Sequence, residues 1–225
     1  MGEMEVWRRE KELARSRFHR ADREIIAEVV KTIRNGQGRI LEIGCGHGDV
    51  TREYIALNCA SVVGTDIVDH FRAEGASNNI RFQLEDALRL SFPEESFDGV
   101  ISIQVIEHVE DDNRFVRESM RVLKKGGTLF FTTPNRLRLS SIMRYLIGKP
   151  LRFPHSYGRD AVLGDILHLR EYSYEDLREL VAKFSVNSVE IRGIWFGIPS
   201  LKVGLTKPPK FLQRYAFNWH VRMVK

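Results

Sequence analysis

Residues 40–48 read Ile40-Leu41-Glu42-Ile43-Gly44-Cys45-Gly46-His47-Gly48. A short β-branched, apolar run ends in a carboxylate. Three glycines follow at alternate positions, and helix-compatible sequence comes next. That pattern predicts a strand, a tight turn and a helix start, with glycines letting backbone lie against a ligand. The Glu42 carboxylate at the strand end suits a ligand carrying a cation more than one carrying a pyrophosphate. Asp49 stands where the last glycine of the dinucleotide fingerprint G-x-G-x-x-G would be, and would repel a pyrophosphate at the helix start.

Four further stretches follow in order. Ser61-Val62-Val63-Gly64-Thr65-Asp66 reads as a second strand ending in a carboxylate, placed where an acidic residue commonly bonds ribose hydroxyls. Ile80-Arg81-Phe82-Gln83 reads as a third strand, with Leu84-Glu85-Asp86-Ala87 behind it. Residues 96–103 supply a fourth strand, and Lys124-Lys125-Gly126-Gly127 opens a fifth over residues 124–131. Strands separated by helical stretches argue for a parallel sheet.

Across residues 38–134 this series resembles the class I S-adenosylmethionine (SAM)-dependent methyltransferases, nearest the quinone-biosynthesis or "type 11" group. Glu42 with its glycines resembles motif I. Asp86-Ala87 resembles the pair that holds adenine, Phe97-Asp98-Gly99-Val100 the F-D-x-V strand, and residues 123–127 the L-K-P-G-G turn, with Lys125 in place of Pro. The resemblance implies SAM as cofactor and S-adenosylhomocysteine as product. It implies a cofactor set of Glu42, Gly44, Cys45, Gly46, Gly48, Asp66, Ile67, Asp86, Ala87 and Gln104. The implied fold is α/β and doubly wound: a mostly parallel seven-stranded sheet with helices on both faces, an antiparallel last strand and an insertion after the fifth strand.

Gln104-Val105-Ile106-Glu107-His108-Val109 follows the fourth strand and resembles the E-V-x-E-H-V stretch of quinone-ring O-methyltransferases. The candidate catalytic residues are His108, Glu107 and His168. His108 suits a general base by position and titration range, and equally a structural histidine at a helix start. Gln104 replaces a carboxylate that holds a divalent metal in the quinone enzymes, and no His/Cys spacing suggests zinc, so no metal is expected. The stretch Ser102-Ile103-Gln104-Val105 also lacks the Asn- or Asp-Pro-Pro-Tyr of many base N-methylases. His168-Leu169-Arg170-Glu171-Tyr172-Ser173 resembles the H-x-R-x-[FY]-[ST] stretch that closes over the pocket in relatives, and His155, Tyr157 and Arg159 are further polar groups of the insertion.

Four segments are expected within one domain: N-terminal helices over 1–37, the cofactor core over 38–134, an acceptor-side insertion or lid over 135–172, and a C-terminal helix and strands over 173–225. Residues 186–196 predict the sixth strand and 217–224 the seventh. Ser173 predicts a helix N-cap with Asp176 at the capping-box position. Two cysteines are too few for a disulfide framework, and no signal-like or membrane-spanning apolar run is visible, so a cytoplasmic protein is expected. Charge is uneven. Residues 1–135 carry a net −4, while residues 136–225 hold 16 basic and 7 acidic side chains. Segments 136–159 and 199–225 carry six basic residues each and no acid. Those two segments point to an anionic acceptor, and the expectation is RNA (a rRNA or tRNA nucleotide). The alternative is a small-molecule or lipid-linked, quinone-like O-methyl acceptor, which the E-H-V stretch and the apolar run 139–151 favour. A SAM-binding module without catalysis is the third possibility.

Overall fold

The computed structural model describes residues 17–69, 77–148, 168–198 and 203–225. The expected helical stretch over 5–16 and most of the insertion, with His155, Tyr157 and Arg159, lie outside them. Helix α1 (Arg17–Thr32) leads through a left-handed turn at Arg34, Asn35 and Gly36 into β1 (Arg39–Ile43). The strands β2 (Ser61–Asp66), β3 (Ile80–Leu84), β4 (Phe97–Ile103) and β5 (Leu123–Pro134) follow, with α2 (Asp112–Val122) before β5. After β5 come α3 (Leu139–Leu146), α4 (Tyr174–Val181) and β6 (Ser188–Ile194). A ribbon of β7 (Phe196–Ile198) and β8 (Val203–Leu205), the short α5 (Lys210–Gln213) and β9 (Asn218–Val224) complete the described chain.

Seven strands form one sheet in the order β3-β2-β1-β4-β5-β9-β6. Every pair from β3 to β5 is parallel, and β9 runs antiparallel to both neighbours. Because both faces are covered, the central strands β1 and β4 are buried almost throughout rather than alternately, while the edge strands β3 and β6 are largely exposed. Leu41, Val100, Leu129, Phe131 and Val221 meet α2 and α4 through Phe115, Val116, Leu177 and Leu180. On the opposite face Ile40, Val62, Ile101 and Phe130 meet Ile26 and Val30 of α1 and Ile33 just after it. The described part of the expected N-terminal helices thus packs through Ile26 and Val30 on this face. The capping box forms as its residues predict: Ser173 accepts from the Asp176 amide and Asp176 accepts from the Ser173 amide.

Three expectations need correction. No helix joins β3 to β4: residues 85–96 are turns, shaped by Asp86, Glu85 and Ser91, and strict alternation breaks there. The sixth strand is shorter than 186–196, because Trp195 adopts φ +59° and ends the extended run. The fifth is longer than 124–131, since Leu123 already pairs with Phe97 before a bulge at the Gly turn. The β7–β8 ribbon had no counterpart in the sequence reading.

Candidate active site

β1 and β4 lie side by side at the centre of the sheet while the chain crosses to opposite sides from them, so their carboxyl ends open a crevice. The glycine loop after β1 lines it. Both the Gly44 and Cys45 amides donate to the Thr65 carbonyl, at 2.7 and 2.9 Å. The Gly46 amide donates to Asp66 Oδ2 at 2.8 Å, and Asp66 Oδ1 accepts from the Val68 amide at 3.2 Å. Asp66, expected on ribose hydroxyls, thus also fixes the loop to β2. Gly44 at φ +76° admits no side chain, since a Cβ there would stand 2.2 Å from Val105. Gly46, at φ +52°, is different: a Cβ there would meet no atom within 4 Å, so the loop crest borders open space. Gly48, at φ +80°, packs against Phe82.

Glu42 is buried beneath the loop and accepts from the Thr51 hydroxyl. Burial pushes its carboxyl up to about 7, with the Thr51 bond and Arg23 opposing and Asp66 adding to the rise. Cys45 turns toward the sheet, its sulfur against Gly64, and burial raises its thiol far above the usual range. Its amide being already bonded, Cys45 contributes loop shape rather than a free group. Beyond Asp66, the Ile67 side chain is 68% exposed at the crevice edge. Asp86 is exposed and closes its own turn by accepting from the Leu88 amide, while Ala87 packs onto the core. Gln104 sits at φ +56°, an unfavourable conformation for a residue with a Cβ, with its side-chain amide donating to Thr132 Oγ1 at 3.1 Å.

Past Gln104 the chain folds a second cluster against the loop. Glu107 is wholly buried. Its Oε2 accepts from Thr133 Oγ1 at 3.0 Å, its Oε1 has no hydrogen-bond partner, and burial pushes its carboxyl up to about 8. The Glu107 carbonyl accepts from the Leu169 amide at 2.8 Å, which draws His168 over the end of β4. His108 and His168 stack edge to face with centroids 4.8 Å apart. Nδ1 of His168 lies 3.5 Å from Glu171 Oε1, and Glu171 Oε2 accepts from Arg138 at 2.9 Å. All three catalytic candidates therefore converge. Sequence reading did not assign a role to Thr133, Glu171 or Arg138. Thr133 was visible only as part of a strand exit, and Glu171 and Arg138 only as members of wider stretches. A groove of about 1130 Å³ lies elsewhere, bounded by Val29, Phe130, Arg192, Phe211 and Trp219, and includes none of these groups.

Known proteins match this arrangement. Residues 41–131 fit a family model described as a methyltransferase domain. A probable S-adenosylmethionine-dependent methyltransferase of Mycolicibacterium smegmatis is 32% identical over 70% of this chain and 55% of its own length. A ubiquinone biosynthesis O-methyltransferase of Chelativorans sp. is 36% identical over 54% of this chain and 52% of its own. The chain thus spans about half the length of the curated relatives it matches. Among solved structures, a possible histamine N-methyltransferase of Thermotoga maritima has a TM-score of 0.62 at 21% identity, covering 84% of this chain and 83% of its own. The N-methyltransferase NodS of Bradyrhizobium japonicum, in complex with S-adenosylhomocysteine, has a TM-score of 0.61 at 17% identity, covering 95% and 90%. At those identities the structures speak for the fold alone. Residues 41–131 carry a methyltransferase domain, and the similarities support the class I SAM-dependent methyltransferase superfamily. SAM is the cofactor that these relatives support, and the open face at Gly46 and the buried Glu42 fit a cationic group.

Proposed function

We propose that the protein transfers the methyl group of SAM to a hydroxyl oxygen of a small-molecule or lipid-linked acceptor. Glu42, Gly44, Gly46, Gly48, Asp66, Ile67, Asp86 and Gln104 would hold the cofactor. An acceptor oxygen attacks the methyl carbon in line; the new C–O bond forms as the C–S bond breaks, the electron pair passes to sulfur, and the hydroxyl proton leaves. The enzyme's work is alignment and removal of that proton. The observation that carries the acceptor reading is the partly buried Glu107–His108–His168 cluster, built on a segment whose Val105 lies against Gly44 of the cofactor loop. A compact polar cluster suits one hydroxyl better than an extended nucleic-acid backbone. The ubiquinone O-methyltransferases among the relatives support the same class. Residues 135–172 fit the role of an acceptor-side lid, since Arg138 and the His168 stretch adjoin the cluster.

RNA, the acceptor expected from charge, is the second reading. It rests on segments 136–159 and 199–225, and their described cations are largely engaged within the fold. Arg136 pairs with Asp176 at 3.0 Å, Arg138 with Glu171 at 2.9 Å, Lys207 with Glu28 at 3.7 Å and Arg214 with Glu175 at 3.5 Å. Among the described residues no helix is long and apolar enough to cross a membrane.

Incubation of the purified protein with methyl-labelled SAM separates the readings. One arm receives a lipid and metabolite extract, the other deproteinised RNA, both from source cells lacking the gene, with Asp86→Ala as control. Label in the organic extract is the expected result. Label confined to a discrete RNA species would overturn the small-molecule reading, and failure to bind SAM would overturn the activity itself.

A further inference from the structure

We propose that the outer edge of β6 pairs with the same edge of a second copy of this chain, antiparallel about a two-fold axis at Ile191, so that Glu190 of each copy meets Arg192 of the other. The inference goes beyond the methyl-transfer reading and holds whatever the acceptor. Among the described residues β6 is the last strand of the sheet and pairs with β9 alone. Such a strand presents a row of backbone donors and acceptors to any strand that can lie beside it. The usable edge covers residues 188–192, an ordinary strand length. Further on it closes: the Trp195 amide donates to the Thr206 carbonyl, and a Cβ on Gly193 would stand 2.1 Å from the Gln213 carbonyl oxygen. Along the usable part every side chain is exposed except that of Ile191, which is half-buried.

The side chains select both the partner and the register. Glu190 and Arg192 share one face, 46% and 61% exposed, and contact each other along the strand. An edge bearing one sign of charge repels a second copy, whereas opposite signs two residues apart do not. In the antiparallel pair centred on Ile191, each Glu190 stands opposite the partner's Arg192. The row across the sheet then runs Arg222, Glu190 and the partner's Arg192, alternating in sign. Sliding one strand by two residues sets Glu190 against Glu190 or Arg192 against Arg192. Sliding by one carries the charges to the face of Val189 and Ile191. That face is apolar: Val189, 41% exposed, and Ile191 border a hollow of about 350 Å³ with Tyr174, Val181 and Phe184. The centred register lays Ile191 beside the partner's Ile191 there. A two-fold pair uses the same patch twice, so one self-complementary strand is enough to define it.

Sedimentation velocity of the whole chain over a concentration series tests the pairing. The wild type should pass from monomer to dimer as concentration rises. Glu190→Arg sets like charges opposite each other at both ion pairs, and Arg192→Glu does so with the other sign. Each variant alone should weaken the dimer at least tenfold. Mixed in equal amounts, the two variants carry opposite charges at every facing position and should pair again, which a loss of folding could not produce. The double variant Glu190→Arg/Arg192→Glu, in which the signs are exchanged, should dimerise as the wild type does. Monomer at every concentration overturns the inference and leaves the edge to a partner of different sequence. So does a dimer that neither single variant weakens, since it would lie on another surface. Single variants that stay monomeric when mixed overturn it as well, because the register makes their charges complementary.

Discussion

Carboxylates at the two ends of the sheet are treated in opposite ways. At the amino end of β4, Asp98 accepts from the Arg39 amide at 2.9 Å and from Lys124 at 3.0 Å, with Arg34 at 3.8 Å. Burial works against its charge, but the Arg39 amide, Lys124 and Arg34 together hold it below the usual aspartate range. At the carboxyl ends, burial pushes Glu42 and Glu107 up to about 7 and about 8, opposed for Glu42 mainly by the Thr51 hydroxyl and for Glu107 by its own backbone and then the Thr133 hydroxyl. One end joins strands. The other keeps negative potential in reserve for a ligand, and perturbed groups of that kind gather where chemistry happens.

The largest effect expected from this contrast is on the pH dependence of the cofactor-free protein. Folded Glu42 binds its proton more tightly than the unfolded chain does, from 4.5 to about 7. Its contribution is therefore complete below about pH 4.5 and lost as pH rises through 7, a change of about 3 kcal/mol. Glu42→Gln should match the wild type near pH 5 and exceed it near pH 8.5 in urea denaturation. Equal pH slopes in the two proteins would remove the contrast.

Asp66→Ala takes the acceptor away from the Gly46 and Val68 amides. SAM affinity by calorimetry should fall about 30-fold, near 2 kcal/mol. Unchanged affinity would mean that the Thr65 carbonyl alone holds the loop.

Asp98→Ala should act the other way round, leaving SAM affinity alone and lowering stability by about 2 kcal/mol at neutral pH, the scale for losing a buried charged acceptor. That loss should shrink as pH falls through the aspartate range, since the lowered pKa of Asp98 contributes stability only while the group is ionised. A loss that persists in acid would point to packing instead.

The smallest effects separate two residues in the left-handed region, Glu95 ahead of β4 and Gln104 behind it. Glycine at either should change stability by less than about 1 kcal/mol. Glu95→Gly should leave methyl transfer intact, whereas Gln104→Gly, which loses the Thr132 bond, should slow it several-fold. Equal turnover in both would make Gln104 a turn residue only.

Legibility in the sequence followed the range of the interactions involved. The glycine loop, β2 with its terminal Asp66, the α1 packing face and the Ser173 capping box are set by neighbours a few residues apart, and their patterns were readable. The turns between β3 and β4 were not, because side chains of Asp86 and Glu85 capture backbone that periodicity would assign to a helix. Nor was the end of β6, where tertiary packing places Trp195 at positive φ beneath α1 and Phe217. Charge misled for a similar reason. A run of cations free of acids in sequence meets its acids across space, as Arg138 meets Glu171 and Arg214 meets Glu175.

By itself the sequence determined the parallel α/β core and where its cofactor crevice opens, because strand periodicity, turn glycines and strand-end carboxylates are local properties. Tertiary structure alone decided what stands across from that crevice. His168 reaches Glu107 and His108 only because the Leu169 amide bonds the Glu107 carbonyl and Arg138 anchors Glu171 behind the imidazole. Those bonds join segments distant in the chain, and no spacing rule along it encodes their meeting.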